Sequence, residues 1–103
     1  MKNTPENLVK YEIKQALDMV GAFHVPLMQG LGSHKGLPDR VAIKDGKVYM
    51  LEVKTLNGKM SKYQLEFNGH WTTNGGNYHV VRSAEDIFRL FGRQDLLKLT
   101  GNA

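Results

Sequence analysis

The stretch Gly36–Lys54, GLPDRVAIKDGKVYMLEVK, decides how this chain is read. Asp45-Gly46 near its middle predicts a two-residue type I′ turn, because both central residues of that turn need a positive φ and Asp-Gly adopts it at low cost. With those two at the tip, Lys44 faces Lys47, and the register follows outward: Val41 with Met50, Arg40 with Leu51, Asp39 with Glu52. Directly opposed side chains stand roughly 4.5–5.5 Å apart at Cβ. Two carboxylates that close repel each other unless a cation lies between them or one keeps its proton. Strand alternation puts Lys54 on the face of Glu52 and turns Val53 the other way. One hairpin thus gathers Asp, Glu and Lys on one patch. Its remaining positions are largely apolar, which predicts a central place in the sheet.

On the N-terminal side, Thr4-Pro5-Glu6 supplies an N-cap hydroxyl, a proline at the first helical position and an acid in the first turn. Val9, Ile13, Ala16, Leu17 and Val20 share one face at helical spacing, and Gly21 ends the helix. On that wheel Glu12 falls between Met19 and Ala16, inside the apolar half. The segment 22–27 reads as a short strand with Pro26 near its end or at an edge. A glycine-rich, polar, basic loop (29–36) then leads into Leu37-Pro38-Asp39, where proline fixes the approach of the chain.

Beyond the hairpin, Asn57-Gly58 marks a turn, Ser61 opens a second helix, and Gln64 completes a capping box with it. Tyr63, Phe67 and Trp71 recur every fourth residue, with Leu65 beside them; this spacing reads as core or a subunit interface rather than a platform for stacked bases. Asn74–Asn77 turns the chain into a strand, Tyr78–Val81. Ser83 caps a third helix with Asp86 three residues on; Ile87, Leu90 and Phe91 line one face, and Gly92 stops it. A short helical turn over 94–99 follows, and the tail 100–103 is expected to fray. The expected order is αβββαβα: an α/β fold with a mixed central sheet flanked by helices on both sides, and a right-handed crossover through the second helix.

At 103 residues the chain is expected to be a single domain, with 41% hydrophobic and 23% charged residues as in ordinary globular chains. No apolar run is long enough to span a bilayer, and MKNTPENLVK lacks the apolar core of a signal peptide. The absence of cysteine excludes a disulfide scaffold and thiolate metal sites, and fits a cytoplasmic location. A net charge of +4 leans towards polyanionic partners. His24, His34, His70 and His79 show no paired metal-ligand spacing.

Pro38-Asp39 followed by Glu52-Val53-Lys54 resembles the PD-(D/E)xK signature of restriction-endonuclease-like nucleases. The finer pattern, Gly36, Pro38, Asp39, Glu52, Lys54, then Ser61 and Gln64 heading the next helix, is similar to the VRR-NUC branch, whose compact stand-alone members occur in phages and bacteria. The resemblance runs from the first helix to the strand at Tyr78, so that residues 1–103 would form one nuclease domain of restriction-endonuclease-like fold. It implies a divalent-metal-dependent DNA endonuclease using Mg²⁺ or Mn²⁺. Asp39, Glu52 and the backbone carbonyl of Val53 would bind the metal. Lys54 would orient the attacking water or stabilise the pentavalent phosphate. Glu12 would bind a second metal or a metal-bound water, and Gln64 would support the site or touch the phosphate. Lys35, Arg40, Lys59, Lys62 and His34 surround these positions and are candidates for phosphate contacts.

A domain this small has one active site, so cutting two strands calls for a symmetric homodimer. The resemblance extends to proteins acting on branched DNA, including four-way (Holliday) junctions. The alternatives are a flap or end-processing nuclease, a non-catalytic DNA-binding module with the nuclease fold, and an interaction protein using its aromatic helix face.

Overall fold

The computed structural model describes residues 4–100. The elements are α1 (Pro5–Val20), β1 (Phe23–Pro26), β2 (Arg40–Lys44), β3 (Lys47–Val53), α2 (Lys62–Thr73), β4 (Asn77–Val81) and α3 (Ala84–Leu90), then a 3₁₀ segment, Gln94–Thr100. This is the α/β order expected from the sequence. The sheet runs β1-β2-β3-β4, so the hairpin strands β2 and β3 are central. β1, β2 and β3 are antiparallel neighbours, and β4 joins β3 in parallel after the α2 crossover. Of the expected frayed tail, residues 101–103 lie outside the described residues; Thr100 is held, its hydroxyl donating to the Leu97 carbonyl at 2.7 Å.

The hairpin turn is the one the sequence demands. Asp45 has φ 51° and Gly46 φ 81°, and Lys44 pairs with Lys47, Val41 with Met50, Arg40 with Leu51. β2 begins at Arg40, so Asp39 sits one step outside the outermost ladder pair, its carbonyl accepting from Leu27 N at 2.9 Å.

Alternation gives the sheet two different faces. Leu51, Val53 and Val81 point towards α1 and α3, where they join Ile13, Leu17, Ile87 and Phe88 in the core. Phe88 is buried although the spacing of Ile87, Leu90 and Phe91 left it out of the expected face. Truncating Ile13, Leu17, Leu51, Ile87 or Phe88 to alanine would cost about 2–5 kcal/mol. The opposite face carries Met50, Glu52 and Tyr78. It is covered by α2, whose Phe67 stacks on Trp71 (centroids 5.8 Å apart) and contacts Tyr78 (6.2 Å). Phe67 and Trp71 thus pack on the sheet as expected of core residues. Tyr63, in the first turn, is different: 45% of its surface remains exposed.

Candidate active site

The site forms where the hairpin's open end meets the first turn of α2. Asp39 immediately precedes β2, and its Oδ2 accepts from the backbone N of Val53 at 2.8 Å. This bond ties the acid to the end of β3 and leaves Oδ1 turned towards Lys10 Nζ, at 3.5 Å. Glu52, one residue earlier on β3, is 3% exposed. Its Oε2 accepts from Gln64 Nε2 at 3.2 Å and lies 3.8 Å from Lys54 Nζ. Among the described residues its Oε1 is buried with no hydrogen-bond partner. Burial, a hydrogen bond to Asp39 and the Asp39 charge push the Glu52 carboxyl up to about 8, against the opposing pull of Lys54 and Lys10. Without a cation Glu52 is therefore held in its protonated form at neutral pH. The Tyr78 hydroxyl is also buried without a partner among the described residues; burial and the charges of Glu52 and Asp39 hold it protonated.

Gln64 is placed by its helix cap. Ser61 Oγ accepts from Gln64 N at 3.2 Å, while Gln64 Oε1 accepts from Ser61 N at 2.8 Å. The capping box points the remaining amide hydrogens at Glu52, so cap and site are one arrangement. Asp39, Glu52 and Gln64 line a pocket of about 300 Å³ whose walls include Lys35, Gly36 and Tyr63.

Glu12 is the correction. It is exposed, and its Oε2 accepts from Ala84 N at 3.2 Å, capping α3 rather than joining Asp39 and Glu52. Ala16 and Glu12 border the buried stripe on the side that meets α3, which is why the wheel placed Glu12 inward without placing it at the site. The acid of α1 that reaches towards Asp39 is Glu6, one turn before Lys10; Lys10 Nζ lies 3.2 Å from Glu6 Oε1 and 3.5 Å from Asp39 Oδ1. Glu6 also borders a cleft with Val53, Lys54 and Lys59. At roughly 100° per residue Glu6 lies on the stripe of Leu17 and Val20, a signal hidden by its reading as a first-turn acid. Burial opposes the charge on Lys10, but Asp39 and Glu6 outweigh it and raise its pKa.

The basic residues divide. Lys35 lines the pocket and Lys59 the neighbouring cleft. Lys62 is exposed at the start of α2. Arg40 borders the site, but its Nη1 donates to His24 Nδ1 at 2.8 Å, and His24 Nε2 donates to Asp18 Oδ1 at 2.6 Å. That chain ties Arg40 to β1 and α1, and Arg40 also lines a hollow with Asp39 and Lys10. His34 rests edge-on against Phe67 (5.5 Å), and its Nδ1 donates to the Lys35 carbonyl at 2.6 Å. It shapes the loop.

Among the described residues no three His, Cys, Asp or Glu side chains gather as a metal cluster. The oxygen donors at hand are the Asp39–Glu52 pair, with the orphaned Glu52 Oε1 as the atom in want of a partner. Two carboxylates suit a hard cation that keeps several waters.

A mixed sheet between helices, with an Asp, Glu and Lys at the hairpin's open end, belongs to the restriction-endonuclease-like class of folds. A solved structure described as "VRR_NUC domain" superimposes on this chain with a TM-score of 0.74 at 26% identity, covering 89% of this chain and 99% of that one. No protein-family model matches the chain, and no curated protein does. The fold is that of a VRR-NUC domain. Among the described residues no helix is long and apolar enough to cross a membrane.

Proposed function

We propose that the chain is a divalent-metal-dependent DNA endonuclease, using Mg²⁺ or Mn²⁺, that works as a symmetric homodimer on branched DNA such as four-way junctions. One observation carries the chemistry: a buried Glu52 carboxyl with an unsatisfied oxygen, lining one pocket with Asp39 and lying 3.8 Å from Lys54 Nζ. Asp39, Glu52 and the Val53 carbonyl would hold the cation. When bound, a divalent ion polarises the phosphoryl oxygen and makes a water more acidic. The chain's own groups do the rest. Lys54 orients the attacking water and offsets charge building on the phosphate. Gln64 fixes the Glu52 carboxyl, and the Val53 N–H fixes that of Asp39. Lys10 supplies a second positive charge beside Asp39. Lys35, Lys59 and Lys62 would take flanking phosphates.

The homodimer is supported by the face that α2 leaves bare. Phe23, Ile43 and Val48 are directly paired across β1, β2 and β3 and are 70%, 42% and 40% exposed. With Val25 and Val41 they border an apolar hollow of about 220 Å³. An exposed apolar sheet face of this kind marks an interface.

The test is a panel of labelled four-way junction, flap, linear duplex and single strand, incubated with Mg²⁺ or Mn²⁺. Preferential cutting of the junction is expected. Preferential cutting of flaps or ends would replace the substrate reading with a processing nuclease. Tight binding without cutting by either metal would replace it with a binding module.

A further inference from the structure

The pocket over Asp39 and Glu52 is larger than a phosphate needs, and its outer wall carries an aromatic ring. Tyr63 stands there half-exposed, with Lys35 Nζ 4.9 Å from its ring centroid. The two are held at this spacing by backbone contact. Gly36 has φ 80°, and a Cβ at that position would lie 2.1 Å from the Tyr63 carbonyl oxygen. Only glycine lets the basic loop sit directly on the first turn of α2. The other end of the loop is tied by Gln29 Nε2, which donates to the His34 carbonyl at 3.0 Å.

Resting on the nuclease reading above, we infer that this is a base-binding pocket: one nucleobase, unstacked from its strand, lies against Tyr63 while its phosphate stands beside the Asp39–Glu52 pair that would hold the cation. Lys35 leaves the ring for the backbone of that strand. The magnitudes favour the exchange, since an exposed cation–π contact is worth about 0.5–1 kcal/mol and base–aromatic stacking about 1–3 kcal/mol. A base within continuous duplex cannot enter without unstacking, which costs a few kcal/mol and least where the nucleotide is already unpaired. The pocket therefore selects branch points by what they leave unpaired. Both ends of the Gln64 amide are committed to Ser61 and Glu52, so the ring does the holding, and every base has a face to stack.

The experiment uses a branched DNA with 2-aminopurine as the unpaired nucleotide, followed by anisotropy for binding and by base fluorescence for insertion. Wild type and Tyr63→Phe should change the fluorescence in step with the anisotropy, and Tyr63→Ala should bind with little fluorescence change. Replacing the unpaired base by an abasic site should weaken wild-type binding about tenfold and leave Tyr63→Ala unaffected. Binding with an unchanged fluorescence signal, or the same signal from wild type and Tyr63→Ala, overturns the pocket and leaves the nuclease reading standing. Absence of any anisotropy change in wild type overturns both.

Discussion

At pH 7 and without a cation, Glu52 keeps its proton, because burial and Asp39 push its carboxyl from 4.5 to about 8. An unfolded glutamate ionises near 4.5, so between these values the native state binds more protons than the unfolded one. The contribution to stability is complete below about 4.5 and is lost as pH rises to about 8, a change of the order of a few kcal/mol. Thermal melts of metal-free protein should therefore show a melting temperature falling from pH 5 to pH 9, with Glu52→Gln flattening the slope. The same slope in both proteins would refute the assignment. Glu12 makes a contrasting case. Its bond to Ala84 N is a helix cap, so Glu12→Ala should cost about 1 kcal/mol of stability and leave the cleavage rate unchanged. A tenfold loss of cleavage by well-folded Glu12→Ala would return that residue to the active site.

Elements were legible in the sequence where local chemistry allows one geometry. Asp45-Gly46 fixes the turn, the turn fixes the register, and the register brings Asp39 beside Glu52. Ser61 and Gln64 likewise fix the start of α2 and aim an amide at Glu52. What stayed hidden depends on packing between elements. A helical wheel gives the direction of a side chain but not which neighbour stands there, so Glu12 was placed at the site and Glu6 and Lys10 were missed. Arg40 was equally invisible as a partner of His24, sixteen residues away. The seat of the loop on α2 gives an element-scale prediction. Gly36→Ala must push the loop off the Tyr63 carbonyl, and the left-handed φ adds strain, so a loss of about 2 kcal/mol or more is expected in denaturant melts. An unchanged midpoint would mean that the loop does not rest there. Arg82 holds another loop: its Nη1 donates to the carbonyls of Thr55, Leu56 and Gly58 at 2.6, 3.2 and 2.8 Å. Arg82→Ala should speed amide exchange in the segment 55–60, beside Lys54 and Lys59; unaltered protection would show that the loop is held by other contacts.

For the whole molecule, the sheet face that carries Glu52 continues across β2 and β1 into exposed apolar ground at Phe23, Ile43 and Val48. A twofold pairing of that ground would place two catalytic pockets on one assembly, as cutting both strands of a junction requires. A charge at its centre, Phe23→Lys, should convert a dimer to a monomer in sedimentation and turn paired cuts into single nicks. A wild-type monomer at micromolar concentration would move the interface or remove it. The net charge of +4 adds that DNA binding should weaken steeply with salt. The most direct test of the account is hydrolysis of a labelled junction by wild type, Asp39→Asn and Glu52→Gln, each with Mg²⁺ and with chelator. The account predicts cutting by wild type with the metal only, reduced at least about a hundredfold in both variants. Cutting in chelator, or undiminished cutting by folded Asp39→Asn and Glu52→Gln, would contradict the assignment of the carboxylate pair as the catalytic centre.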